Sequence, residues 1–156
     1  MNGIYGIPRG SQDYFTLFLQ AENFSPADGT IHYIGARWGF ATATSNPGIQ
    51  KMPAPCDLTV LNVNFTWRSV ASPSSELVTM NLQTYIRPET LEHTTLITND
   101  LDLSRPTAAG FSRNYPVNID VNEGKGIMIQ MVCPTWVTNP TSMELLCQLF
   151  CIRRWS

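Results

Sequence analysis

The stretch "LTVLNVNFTWRS", residues 58–69, decides the fold class. Apolar side chains stand at every second position, and asparagine and threonine fill the places between them. The apolar set is Leu61, Val63, Phe65 and Trp67, and the polar set is Asn62, Asn64 and Thr66. A period of two is typical of a β-strand with one buried face and one face in solvent.

The stretch "ELVTMNLQTYIRP", residues 76–88, repeats this pattern after a turn-like "ASPSS" at residues 71–75. We expect the two stretches to form an antiparallel pair with one dry face and one wet face. The predicted core side is Val78, Met80, Leu82 and Ile86, and the predicted solvent side is Thr79, Asn81, Gln83 and Tyr85.

The remainder of the chain also favours strands, and no amphipathic helix of convincing length occurs. A first strand is predicted at Tyr14–Gln20, and one or two more at Ile31–Ala43. Residues 90–106 suggest a short strand with a polar tail, and residues 114–132 a strand, a turn and a strand. The last strand, Met143–Ile152, is apolar on both faces. Many short strands with regular turn signals predict an all-β fold, an antiparallel two-sheet sandwich of the jelly-roll kind.

A length of 156 residues suits one domain. We predict an extended N-terminal arm at residues 1–13 and a single β-sandwich domain at residues 14–156. The arm has no periodicity, yet it carries the apolar residues Ile4, Tyr5 and Ile7. These residues either dock on a neighbouring subunit or tuck onto their own domain, and the sequence leaves both alternatives open.

Composition favours a protein that assembles with other proteins. Charged residues make up 14% of the chain, whereas ordinary soluble domains contain about 25%. A neutral, hydroxyl-rich surface repels other copies weakly. The net charge of −2 argues against nucleic-acid binding. No apolar run is long enough to span a membrane, and the start does not resemble a secretory signal, so we expect synthesis in a cytoplasm.

Candidate residues for chemistry are few. Of the two histidines, His32 lies in an apolar strand and suggests a structural role, and His93 is expected in solvent. Cys147 and Cys151 would lie roughly 13 Å apart on one face of a strand, too far to share a metal. Cys133 is the best candidate for a nucleophile, but no sequence feature brings a base to it. We therefore predict no catalytic, cofactor or metal site and no enzymatic activity.

The loop "VCPTWVTNPTSM", residues 132–143, holds Trp136 between two prolines. An aromatic ring on a rigid loop favours a contact with a partner, but the ring can also fold back and close one end of the sandwich. Under the contact interpretation, Trp136→Ala leaves the fold intact and weakens assembly. Phe150, on the second face of the last strand, and Trp155, near the chain end, are further contact candidates. The predicted interface residues are Ile4, Tyr5, Ile7, Trp136, Phe150 and Trp155.

Two segments carry a resemblance to a known family. They are "GKGIMIQMVCPTWVTNPTSM", residues 124–143, and "KMPAPCDLTVLNVNFTW", residues 51–67. In the first, a turn of the form acidic-Gly-x-Gly leads into an apolar strand, and a loop of proline, threonine, tryptophan and asparagine follows; in the second, a loop of small residues enters an alternating strand. Together with the strand order, they make Ile31–Ser156 resemble the small jelly-roll virion proteins of tailed bacteriophages.

This resemblance implies a structural virion protein, usually a homotrimer. A capsid cement or decoration protein would sit on the exterior of the head and bridge copies of the major capsid protein. The alternative is a tail-fibre tip or adaptor module that binds host-surface carbohydrate. Under either reading the partners are other proteins or glycans, and no cofactor, membrane or nucleic acid is involved.

Overall fold

The computed structural model describes residues 13–35, 51–69, 77–87, 90–102 and 111–155. These residues form nine strands. The strands are β1 (Tyr14–Phe24), β2 (Ile31–Ile34), β3 (Met52–Pro53), β4 (Leu58–Arg68), β5 (Leu77–Arg87), β6 (Thr90–Asp102), β7 (Phe111–Val121), β8 (Gly126–Val132) and β9 (Met143–Arg153). Within these residues no helix is long and apolar enough to cross a membrane.

The strands form two antiparallel sheets that face each other. The first sheet, sheet A, has the order β1-β9-β4-β7, and the second, sheet B, has the order β2-β8-β5-β6, with β3 also paired to β8. The first half of the chain pairs with the second half in reverse order, as β1 with β9, β2 with β8, β4 with β7 and β5 with β6. One long folded ribbon wrapped into two sheets is a jelly roll. The prediction of an all-β, jelly-roll-like sandwich is confirmed.

Strand β4 contributes to the core with a change of phase that the sequence pattern did not reveal. Val63, Phe65 and Trp67 are buried as predicted, but Leu61 is only partly buried. The pairing is irregular between Val60 and Asn62: against β9 the extra residue lies on β4, and against β7 it lies on β7. A bulge shifts the alternation of buried and exposed side chains by one position. The side chains of β4 that point into the core are therefore even-numbered before the bulge and odd-numbered after it.

Strand β5 follows its predicted alternation as far as Leu82, but Gln83, predicted in solvent, is 4% exposed. Val78, Met80 and Leu82 are fully buried, whereas Ile86, predicted inside, is 52% exposed. Tyr85, predicted in solvent, is buried because the Lys51 ammonium lies 3.9 Å from its ring centroid. This burial raises the pKa of Tyr85 to about 12. A neighbouring segment of the chain can pack over a residue on the outer face of a sheet and bury it. The periodicity of the sequence does not predict such a contact.

Two strands are longer than the sequence suggested. Strand β1 continues to Phe24, and β6 runs for 13 residues at the edge of sheet B. Residues 90–94 and 96 on β6 are exposed, which explains the polar composition that suggested a short strand. A strand at a sheet edge has fewer neighbours to bury its side chains, so its sequence lacks a clear apolar alternation.

At one end of the sandwich, the β1–β2 connection (residues 25–30) is hydrogen-bonded to the β8–β9 connection (residues 133–142). The Cys133 amide donates to the Thr30 carbonyl at 2.9 Å, and the Gly29 amide donates to the Pro134 carbonyl at 3.0 Å. The two connections therefore form one structural unit that closes this end of the core.

Candidate assembly interface

The last strand, β9, has two apolar faces, and its own domain covers one of them. The inward residues Met143, Leu145, Cys147, Leu149 and Cys151 are each at most 1% exposed. On the outward face, Leu146 and Ile152 are partly buried and Phe150 is 41% exposed. The sequence pattern suggested a strand buried on both faces, and the single chain buries one of them fully.

Strand β1 extends this uncovered apolar surface. Tyr14 is 67% exposed and Phe18 is 53% exposed. Thr16 lies between them on β1 and is paired with Phe150 of β9. Directly opposed residues lie about 5 Å apart and diagonal neighbours about 7–8 Å apart, so the three rings surround Thr16. We call Tyr14, Phe18 and Phe150 the aromatic patch.

The aromatic patch occupies one half of the outer face of sheet A, and amide and hydroxyl groups occupy the other half. On β4 and β7 the outward side chains include Asn64, Thr66 and Ser112, and the Asn64 carbonyl oxygen accepts hydrogen bonds from both hydroxyl groups. At the far end of the face, Arg68 and Glu144 form a two-pronged ion pair at 2.5 and 2.6 Å. This pair lines a shallow depression of about 250 Å³. Glu22 lines the same depression and adds a second carboxylate beside this pair.

The exposed part of the three aromatic side chains amounts to roughly 300 Å², taking about 200 Å² for each complete side chain. Contiguous apolar patches of this size on soluble proteins are often functional. A stable contact buries about 800 Å² on each partner. The aromatic patch can therefore serve as the centre of an interface, with neutral polar groups around it.

The predicted contact residue Trp155 lies near one end of the aromatic patch. Its ring is 58% exposed, and the Arg153 guanidinium lies 4.1 Å from the ring centroid. The Arg153 amide donates to the Asp13 carbonyl at 2.9 Å, so the chain enters the domain at this same corner. Ile4, Tyr5 and Ile7 lie outside the described residues, and their contacts stay a prediction.

Trp136 lies at the opposite end of the sandwich and is 5% exposed. Its backbone amide donates to the Asp28 carboxylate at 3.0 Å, and its ring belongs to the core cluster. The structure thus has the ring folded back to close one end of the sandwich. Because Trp136→Ala would empty a core position, this placement favours a destabilised fold for that variant, and the effect on assembly stays a prediction.

Of the groups considered for chemistry, His32 and Cys133 both contact Thr30: the His32 Nε2 lies 2.9 Å from the Thr30 hydroxyl oxygen, and the Cys133 amide donates to the Thr30 carbonyl. All four cysteines are free thiols, and burial raises the pKa of Cys133 to about 11 and that of Cys151 to about 12. His93 is exposed and shares a hydrogen bond with Thr95. Among the described residues, no group of three histidine, cysteine or carboxylate side chains is placed to hold a metal.

Tyr14 and Phe18 were missed as contact candidates, although the sequence contained a signal. Phe18 stands out of phase with the core residues of its strand, and a large aromatic ring on the predicted solvent face is the feature that marks it. Only the pairing with β9 shows that this ring lies beside Phe150. Sequence periodicity assigns a face to each residue but does not tell which strands are neighbours.

The fold is similar to solved structures of virus particles. A chain in the structure of infectious bursal disease virus, Gx strain, aligns with 98% of this chain at a TM-score of 0.57 and 11% identity. A chain of the T13 particle of the same virus aligns with 99% at a TM-score of 0.49 and 13% identity, and one in its VP2 subviral particle with 100% at 0.43 and 12%. At these identities the similarity shows the fold.

This chain spans 36% of the first two of those chains and 42% of the third. No protein-family model matches the chain, and no curated protein matches it.

Proposed function

We propose that this protein is a structural component of a virus particle and that its copies contact one another through the aromatic patch. The observation that carries the proposal is the uncovered apolar face that β1 and β9 share on sheet A. The similarity of the whole jelly roll to a chain in the structure of infectious bursal disease virus, Gx strain, supports the viral setting.

A second copy of this chain is the partner that the patch fits best. The patch itself carries no charged side chain, and Arg68 and Glu144, at the far end of the same face, form an ion pair with each other. A strongly charged partner would find no opposite charge on the aromatic patch to pair with. The same patch on a second copy is apolar, so the two patches can pack together without burying an unpaired charge. Self-contacts of this kind are the ordinary basis of symmetric assembly.

The finer form of the proposal is a cement or decoration protein. In this form a homotrimer sits on the exterior of a phage head and bridges neighbouring copies of the major capsid protein. Stabilisation comes from modest contacts repeated over many copies, since each bound copy adds to the stability of the shell by mass action. Ile4, Tyr5 and Ile7 would add apolar contact area to this assembly.

A second form has the chain as a subunit of the shell itself. The observation that favours it is the alignment of nearly the whole chain with part of a chain of a virus particle. The two forms differ in stoichiometry, because a shell subunit is the most abundant protein of its particle and a cement protein accompanies another shell protein.

The alternative of a tail module that binds host-surface carbohydrate had relied on an exposed Trp136. Because that ring is 5% exposed, this support is lost. Glycan binding would now have to use the aromatic patch. A glycan array probed with the wild-type protein and with Phe18→Thr tests this alternative, and a signal that depends on Phe18 would favour it over self-contact.

The direct test of self-contact is sedimentation velocity of the purified full-length chain over a series of concentrations. We expect association that increases with concentration and persists in high salt, because apolar contacts are not screened. A protein that stays monomeric at all concentrations, in low and in high salt, would contradict the proposal.

A further inference from the structure

His32 is a buried histidine, and the surrounding hydrogen bonds define the tautomer of its neutral ring. Its ring is 3% exposed, and its Nε2 lies 2.9 Å from the Thr30 hydroxyl oxygen. That hydroxyl donates its hydrogen to the Ala27 carbonyl at 2.7 Å. Because a hydroxyl has one hydrogen, Thr30 must accept from His32. The Nε2 atom therefore carries the ring hydrogen, and the Nδ1 atom of the neutral ring is a bare acceptor.

The Nδ1 atom lies in apolar surroundings. It is buried and has no hydrogen-bond partner among the residues that the structure describes. The Phe24 ring packs against the imidazole at a centroid distance of 5.3 Å, and Met131 is its partner across the pairing of β2 with β8. This burial lowers the pKa of His32 below its ordinary value of 6.5.

Among the described residues, burial alone accounts for the lowered pKa of His32, with no contribution from a neighbouring charge. The end of β1 contributes Phe24, and β8 contributes Met131. The connection at residues 25–30 contains one carboxylate, Asp28, which accepts the Trp136 amide hydrogen. The connection at residues 133–142 contains no charged side chain, and its titratable group is the Cys133 thiol, which is neutral because burial raises its pKa to about 11.

We propose that His32 is a pH-sensitive latch that holds the β1–β2 connection against the β8–β9 connection and releases it when the ring is protonated. Thr30 accepts the His32 hydrogen bond through its side chain and the Cys133 amide through its carbonyl. A second ring hydrogen on Nδ1 would be a buried donor without an acceptor, beside a buried positive charge. The ring relieves both by moving to solvent, which separates the connections and uncovers Trp136.

The direction of the pH effect follows from the lowered pKa. The open state, in which His32 is exposed, binds a proton near pH 6.5, and the closed state binds it at a lower pH. The closed state is thus fully favoured above 6.5. As pH falls below 6.5 towards the lowered pKa, the equilibrium constant for opening rises about tenfold per pH unit for this one group.

The chain has two histidines, which makes a direct measurement possible. In the variant His93→Gln the one remaining imidazole is His32, and its Cε1–H signal can be followed by NMR as pH is lowered. We expect this signal to stay that of a neutral ring through pH 6.5. It should titrate at a lower pH, together with an increase in the access of acrylamide to tryptophan.

Acid-induced tryptophan exposure in the wild type, His32→Gln and His93→Gln completes the test. We expect His32→Gln to reduce or abolish the exposure between pH 6.5 and the lowered pKa, and His93→Gln to retain it. If His32→Gln does not fold, the NMR titration of His93→Gln still decides. A His32 ring that titrates near 6.5 while the tryptophans stay protected would overturn the proposal, as would an unchanged acid response in folded His32→Gln.

Discussion

Replacing Phe18 and Phe150 together by threonine should disrupt self-association while the domain stays folded. The two rings are 53% and 41% exposed, so about 190 Å² of side-chain surface is available for a partner, taking about 200 Å² for each ring. At about 25 cal/mol per Å², complete burial of this area contributes about 5 kcal/mol to each contact. Because about 1.4 kcal/mol changes an equilibrium constant tenfold, the dissociation constant should rise by a factor on the order of a thousand.

Threonine is chosen because β-branched side chains suit strands, which limits the effect on folding. The assay is sedimentation velocity over a concentration series, with circular dichroism and urea unfolding as checks on the fold. The matched control is the double variant Leu91→Thr and Leu96→Thr on β6, whose side chains are similarly exposed, at 48% and 55%. We expect this control to associate like the wild type. Equal association of the Phe18 and Phe150 variant, or equal loss in the control, would refute the role of the aromatic patch.

Three further predictions concern the domain itself. Trp136→Ala should lower the free energy of unfolding, measured in urea, by about 3–5 kcal/mol, which is the range for removing a buried aromatic ring. Trp136→Phe should lower it by clearly less, and equal effects of the two variants would contradict the placement of Trp136 in the core. At pH 8 a thiol reagent should modify the partly buried Cys56 first. Cys147, whose pKa is raised by complete burial, should react only when the protein unfolds. Rapid labelling of Cys147 in the folded protein would contradict this prediction. Gly124 has a φ of 77°, and a Cβ atom added there would meet no other atom. Gly124→Ala should therefore destabilise the protein by about 1 kcal/mol through backbone strain alone. An unchanged midpoint of urea unfolding would contradict this interpretation of the turn.

The fold class was predictable because the decisive signals are local. Alternation in β4 and β5 marked both as half-buried strands, and Asn122–Gly126 marked the turn between β7 and β8. These signals depend on a few adjacent residues and on the period of the backbone. The jelly-roll order was expected from the number and spacing of such strands, and the pairing of the first half of the chain with the second confirms it.

The failures have a common physical cause, which is contact between segments far apart in sequence. Tyr85 is buried because Lys51 covers it, and Trp136 is buried because the β1–β2 connection meets its loop. Leu61 does not point into the core as predicted, because a bulge changed the phase of the alternation in β4. A single sequence gives the periodicity of each strand, whereas cover, loop docking and bulges depend on which strands become neighbours.

The candidate interface was predicted in part. Phe150 and Trp155 are exposed, as a contact role requires, and that role stays a prediction. Trp136 is a core residue, while Tyr14 and Phe18 emerged only when the pairing of β1 with β9 placed them beside Phe150. Composition had already favoured an assembling protein, and the aromatic patch gives this tendency a specific location.

The most direct test of the central claim is the number of copies of this chain in purified virus particles, measured by quantitative mass spectrometry with isotope-labelled peptides. We predict a fixed ratio to the main shell protein, constant between preparations, or that this chain is itself the most abundant protein of the particle. The first result would mean a cement role and the second a shell subunit. A few copies per particle would contradict a repeated shell contact and favour the tail, and complete absence from particles would contradict the proposed function.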